Sequence, residues 1–262
     1  MAGAPDQKQQ ELRSLRVDLH VHTVASPCAE IEMLPSLVVE RAVSLGIDCI
    51  AITDHNTAEN VAAVQRCAEE KHIAVIPGME VQTREEAHVL CLFDTLTQVL
   101  IWQEMVYAAL PRIKNREDIF GAQLVVDEND QFVRMIDRML LVATSLSVNQ
   151  VVDKVTQIGG IVIAAHVDRQ AYSLLAVLGF IPEDLGLTGL EISRANRISE
   201  ARRKFPLLGS WPLVTNSDAH RLSEMQVGML VRVADTRIQE LDFAISNKLG
   251  RSVQFENDAI KI

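Results

Sequence analysis

The feature that most constrains this chain is where its histidines fall. There are seven. Six sit in short signatures at the ends of apolar runs: His20 and His22 in Val17-Asp18-Leu19-His20-Val21-His22, His55 in Thr53-Asp54-His55, His88 after Gly78-Met79-Glu80, His166 after Ala165, and His220 in Asp218-Ala219-His220. Alternate side chains of a β-strand share a face, so His20 and His22 can grip one ion from one strand. The same spacing aligns Asp218 with His220. Zinc, manganese and iron accept imidazole and carboxylate ligands. An isolated histidine is more often a core or surface residue, and one His-x-His is a weak motif. The joint pattern argues for a scaffold that holds several metal ions. The seventh histidine, in Glu69-Glu70-Lys71-His72, reads as a solvated helix end.

The apolar runs themselves alternate with helical spacings. Strands are predicted over Val17–His22, Ile47–Thr53, Ile73–Ile76, His88–Phe93, Ile161–Ala165, Gly189–Ser193, Pro212–Asn216 and Met229–Val233. Leu34, Leu37, Val38, Ala42 and Leu45 mark a helix between the first two, and Thr57 is placed to cap the next. This alternation predicts parallel strands with right-handed crossovers. The candidate ligands then gather at the C-terminal strand ends, as in a (β/α) barrel or a doubly wound sheet. His88, at the start of its run, is the exception. Residues 94–145 break the rhythm: a helix from Leu96 to about Leu110, then a hairpin turning at Asp127-Glu128-Asn129-Asp130. This stretch reads as a small insertion, a lid or partial cap. Residues 1–16 read as a flexible N-terminal arm and 17–262 as a single domain.

Composition narrows the function classes. With 262 residues and 48% hydrophobic content the chain buries a core. The formal charge of −10 argues against a broad basic surface for a phosphate backbone. At 4% aromatics, a stacking groove for a single strand is also disfavoured. Bound divalent ions would reverse the field locally, so an anionic small substrate remains compatible. No stretch reads as a membrane span or a signal peptide. The four cysteines form no CxxC pair, which gives a reduced, cytoplasmic location as the expectation. Cys49, Cys67 and Cys91 fall in apolar-periodic runs and read as core residues.

The ordered set His20-x-His22, Thr53-Asp54-His55, Gly78-x-Glu80, His88, His166, Asp218-x-His220 resembles the PHP (polymerase and histidinol phosphatase) superfamily. The resemblance spans Val17 to about Gly228. It implies an α/β fold, a distorted (β/α)7 barrel, with two to three divalent ions (Zn, Mn or Fe). It further implies that His20, His22, Glu80 and Asp218 hold one ion, that Glu80 bridges to a second held by His88 and His166, and that His55 and His220 hold a third. Glu80, Asp218 and His220 would carry the catalysis. Cys28 stands where some members have a histidine, and Ser26-Pro27 replaces the more common Ser-Asp of that loop. Cys28, Glu30 or Glu32 would complete the third site, or Cys28 has no ligand role. Asp54 either orients a ligand or is a turn residue. Glu191 ends a strand and could equally pair with an arginine. Arg84, Arg169, Arg194 and Arg221 lie near the signatures, with Arg169 and Arg194 preferred for substrate phosphate.

The activity implied is hydrolysis of a small phosphomonoester (nucleotide, nucleoside bisphosphate or histidinol-phosphate-like) by a metal-activated hydroxide. A small phosphorylated substrate is the expected partner, without a membrane and without a long nucleic acid. The alternatives are a nuclease acting on oligonucleotide ends, a non-catalytic metal-binding module, and carbon–nitrogen hydrolysis. The last usually wants a metal-bridging lysine, and no suitably placed lysine is found.

Overall fold

The computed structural model describes residues 11–193 and 198–255. In chain order the elements are β1 (Arg13–Val21), α1 (Pro35–Ser44), β2 (Cys49–Ile52), α2 (Val61–Ala68), β3 (Ala74–Gln82), β4 (His88–Leu92), α3 (Leu96–Ala109), α4 (Glu117–Phe120), β5 (Leu124–Val126), β6 (Phe132–Met135), α5 (Val148–Gln157), β7 (Ile161–Ala164), α6 (Leu174–Leu178), β8 (Gly189–Ile192), α7 (Ile198–Lys204), β9 (Leu213–Thr215), β10 (Met229–Val233), α8 (Ile238–Ile245) and β11 (Ser252–Gln254). One sheet holds nine strands in the order β11-β10-β1-β2-β3-β4-β7-β8-β9. It curls into a nearly closed barrel, because the segment between β9 and β10 returns to β1. Val21 bridges Ala219, and the Gly228 N–H donates to the Val17 carbonyl at 2.9 Å. A Cβ on Gly228 would lie 2.4 Å from the Thr215 carbonyl oxygen, so only glycine allows this close approach. The α/β barrel expected from the sequence is the one observed, with seven of the strands, β1 round to β9, as its wall.

Strand direction departs from the expectation. β1–β2–β3 and β7–β8–β9 are parallel, but β4 is antiparallel to both β3 and β7. The last two strands, β10 and β11, are antiparallel additions on the other edge of β1. β1 begins at Arg13, so residues 13–16 of the expected arm belong to a strand, paired with β10. Residues 1–10 lie outside the described residues. Thr57 does not cap α2, whose first turn follows Asn60; its hydroxyl instead meets Gln103 and Tyr107 of α3.

The period-2 pattern divides the core between the two faces of the sheet. Ile50, Ile52, Val89, Cys91, Val162 and Ala164 pack against α1, α2, α3 and α5. Their sequence neighbours Cys49, Ala51, Leu90, Leu92 and Ile163 form an inner cluster closed by Leu241 and Ile245 of α8. Following the alternation along Leu92–Leu90–His88 and Ile76–Gly78–Glu80 leads from this inner cluster to the rim where the polar signatures collect. Gly78 is needed on the way, since a Cβ there would meet Leu92, Thr53 and the Ile52 carbonyl at under 3 Å.

The insertion forms as expected. α3 opens on a Thr95/Gln98 capping box and buries Val99, Trp102 and Val106, spaced for one helical face. β5 and β6 make a separate two-stranded sheet. Asn56 and Asn60, just past His55, clamp it to the rim: Asn56 Nδ2 donates to the Leu140 and Val142 carbonyls, and Asn60 Nδ2 to that of Leu124. Among the described residues no helix is long and apolar enough to cross a membrane.

Candidate metal centre

Because β4 runs backwards, its first residue lies opposite Gln82 at the end of β3. His88 therefore stands at the same rim as His20, Glu80 and His166, and the one exception in the sequence pattern is resolved by topology. Glu80 is at the centre and is buried. Its Oε1 lies 3.0 Å from His88 Nδ1, 3.1 Å from His166 Nε2 and 3.4 Å from His20 Nε2. Its Oε2 lies 2.9 Å from His55 Nδ1 and 3.5 Å from His22 Nε2. Asp218 Oδ1 is 3.2 Å from Nε2 of both His20 and His22, and 3.6 Å from His220 Nδ1.

The hydrogen bonds behind these atoms fix their protonation. His20 Nδ1 sits 3.1 Å from both oxygens of Glu191, a pure acceptor, so Nδ1 carries the proton and Nε2 presents a lone pair. Ser26 Oγ donates to Asp54 Oδ1 at 2.7 Å and accepts the His55 backbone N–H. Its single proton is thus spent, and it accepts from His22 Nδ1 at 3.0 Å, leaving the His22 Nε2 lone pair free. The two Nε2 atoms face each other at 3.1 Å with Asp218 Oδ1 beside them. With both rings neutral, three acceptors converge with no proton among them, and a cation satisfies all three. His166 Nδ1 is also buried without a hydrogen-bond partner. Three groups have ligand atoms close enough to share an ion: His20, His22 and Asp218; His55, Glu80 and His88; and His22, His55 and His220. The donor set therefore fits divalent ions of the nitrogen- and oxygen-loving kind.

Electrostatics agree. Burial works against charge on Glu80, but His88, His55 and His20 outweigh it and hold the carboxyl well below its usual range. Asp218, likewise opposed by burial, is held low by His20 and His22. Burial, then His220 and His55, keep His22 well below the ordinary imidazole value. Burial also disfavours charge on His20, yet Glu191, Asp218 and Glu80 prevail and raise its proton affinity, the same field that would hold a cation.

The structure brings Cys28 to this centre. Burial pushes its thiol up, but the charge of His55 and hydrogen bonds with His220 and His55 bring it down to about 6. Glu30 and Glu32 are engaged elsewhere, with Arg221 and with the Leu222 N–H. Arg169 reaches Asp218 Oδ2 at 2.5 Å. Arg194 lies outside the described residues. Arg84 pairs with Glu85 on the surface.

Sequence reasoning underrated the supports. Glu191 accepts from His20 Nδ1, the His166 N–H and Asn216 Nδ2, tying three strand ends together. Ser26, read as a departure from a pattern, couples Asp54 to His22. Asp54 also accepts both the N–H and the hydroxyl of Thr23. His166 (φ 29°), Asp218 (φ 51°) and Tyr172 (φ 57°) adopt left-handed backbone conformations that non-glycine residues rarely take. The cavity above them measures about 360 Å³ and is lined by these side chains together with Gln82, Leu141, Ala171 and Tyr172. A larger cavity of about 650 Å³ lies within the insertion, beside Arg112 and Arg138, and contains none of the clustered ligands.

A model of the PHP domain matches residues 18–168, more than half of the chain and most of these ligands. The chain belongs to the PHP domain family. It is 34% identical over 89 residues to the 5′-3′ exoribonuclease Rnm of Escherichia coli (strain K12), a stretch covering 32% of this chain and 29% of that protein. It shares its fold with the lesion-specific endonuclease PfuEndoQ from Pyrococcus furiosus (TM-score 0.65, 18% identity, 92% of this chain and 58% of that one). A metal-dependent phosphoesterase so described from Bifidobacterium adolescentis has the same fold at TM-score 0.52 and 21% identity, over 80% of this chain and 89% of that one. The chain thus spans well under two thirds of the first two. Two of these three are named as nucleases, which runs against the expectation that disfavours a long nucleic acid as a partner.

Proposed function

We propose that this PHP-domain chain is a metal-dependent hydrolase of phosphoester bonds, acting on a nucleotide or on the end of a nucleic-acid strand. The observation that carries the reading is the convergence of the His20 and His22 lone pairs with Asp218, next to a Glu80 carboxylate that reaches three further imidazoles, those of His88, His166 and His55. Divalent ions bound there would polarise phosphoryl oxygens and lower the pKa of an attacking water.

The chain's own residues do the remainder. His20, His22 and Asp218 form one ligand set. Glu80 bridges it to His88 and His166. His55, His220 and Cys28 frame the third position. Glu191 and the Asp54–Ser26 pair keep the imidazoles turned toward the centre. Arg169, 44% exposed and anchored on Asp218, is placed to fork onto a substrate phosphate. A cavity of about 360 Å³ suits one nucleotide-sized group, so a strand would enter by its end and leave the remainder outside. A second reading, stepwise removal of nucleotides rather than of a terminal phosphate, is favoured by the likeness to an exoribonuclease.

The test is phosphate and nucleotide release by protein stripped of metal and reloaded with Mn²⁺ or Zn²⁺. The panel comprises adenosine 5′-monophosphate, a nucleoside 3′,5′-bisphosphate, histidinol phosphate and a 5′-labelled oligoribonucleotide. Metal-dependent release from a nucleotide or the oligonucleotide is expected. Release from none of them overturns the reading.

A further inference from the structure

One aromatic side chain stands at the rim of the cavity. The Tyr172 ring stacks on the His88 ring, with centroids 5.0 Å apart and planes 22° off parallel. Tyr172 is nonetheless 52% exposed, so much of the ring stays open where it lines the cavity. Its left-handed backbone (φ 57°) is held by the His88 N–H, which donates to the Tyr172 carbonyl at 2.9 Å. An exposed aromatic in a strained conformation, bonded directly to a candidate ligand, is not explained by packing alone. Leu141 and Ala171 add apolar wall to the same cavity, and the His/Glu/Asp cluster supplies a polar one. One ligand chemistry matches both walls: a planar apolar ring joined to an anion.

We propose that Tyr172 is the platform of a nucleobase subsite, on which the base of a nucleotide stacks while its phosphate lies at the metal centre. The inference rests on the phosphoesterase reading and adds the recognition element to it. His88 backs the tyrosine from behind, so the ring is fixed before substrate arrives and stacking costs little ordering entropy. Stacking is tolerant of base identity, because every base has a π-face. The subsite therefore selects for the presence of a base and not for its sequence.

The experiment compares adenosine 5′-monophosphate with ribose 5-phosphate, its base-free counterpart, in the metal-loaded wild type, Tyr172→Phe and Tyr172→Ala. The quantity read is the ratio of kcat/KM for the two esters within each protein, which cancels any general effect on His88. The wild type and Tyr172→Phe should share a high ratio. Tyr172→Ala should lower it about tenfold, through KM, in line with the loss of one base–aromatic stack. An unchanged ratio in Tyr172→Ala overturns the subsite and leaves the phosphoesterase reading in place. A second measurement needs no turnover. In Tyr172→Trp, adenosine 5′-monophosphate should quench the fluorescence of the introduced indole and ribose 5-phosphate should not; equal quenching by both overturns the subsite. Quenching by the nucleotide alone in a protein that hydrolyses neither ester supports the subsite and removes the hydrolytic reading.

Discussion

Glu191 illustrates how much of this site lies one layer behind the groups that would touch an ion. It is buried, lies 171 positions from His20, and binds His20 Nδ1, the His166 N–H and Asn216 together. Removing it frees the His20 ring to turn and to change tautomer. Glu191→Ala should therefore weaken metal affinity by about 10–100-fold, the usual effect of losing such a partner. Competition with a chromophoric chelator measures this, and unchanged affinity would show that His20 is oriented by something else. Cys28 offers a second test at the same scale. Its thiol lies against His55 and His220, whereas Cys49 and Cys91 are buried. Alkylation at Cys28, followed by peptide mass mapping, should be fast in chelator-treated protein and suppressed by added Zn²⁺. Equal rates would remove it from the ligand set. The ligand-type residues were legible in the sequence because histidines and acids recur at the ends of apolar runs. Glu191 and Ser26 were not, since a single strand-end acid or loop serine has many ordinary uses and its partners are chosen only by the fold.

At the scale of the elements, the existence of each barrel strand was legible and the direction of several was not. A period-2 pattern reads the same either way along a strand. The informative signal was a length: the five residues 83–87 between β3 and β4 are too few for a crossover between parallel strands, which needs a dozen or more. Reading that link as a hairpin would have placed His88 at the correct rim from sequence alone. β11 was missed because three residues, two half-buried and one exposed, carry too little periodicity to stand out. The tight interior that delivers Glu80 to the rim makes a prediction of its own. Gly78→Ala forces a methyl against Leu92, Thr53 and the Ile52 carbonyl, and should cost about 2 kcal/mol, as overpacking of a filled core does. Gly228→Ala, blocked by the backbone at the seam between β1 and the β9–β10 connection, should cost about 3 kcal/mol on the same grounds. Urea unfolding measures both; midpoints equal to the wild type would mean that the barrel wall is looser than these contacts require.

For the molecule as a whole, the acidic balance and the histidine cluster are two sides of one design. A chain of formal charge −10 concentrates carboxylates and imidazoles at one rim, and bound cations would turn that rim attractive to phosphate. Ions that bind only the folded state stabilise it, by about 2.7 kcal/mol at one hundred times the dissociation constant. For a chain of this size that corresponds to a rise in Tm of about 5–10 °C. The rise should appear on adding Mn²⁺ or Zn²⁺ to chelator-treated protein and should shrink in His20→Ala.

The most direct measurement of the central claim joins metal content to turnover in one pair of proteins. Wild type and Glu80→Gln are purified in parallel, assayed for bound metal by mass spectrometry, and tested for hydrolysis of the preferred ester before and after chelation. The account predicts two to three ions per chain in the wild type, loss of hydrolysis on chelation with recovery on reloading, and fewer ions with at least about 100-fold less activity in Glu80→Gln, since the substitution removes one charged oxygen at the point where the ligand sets meet. Wild-type levels of metal and of chelator-sensitive activity in Glu80→Gln would contradict it.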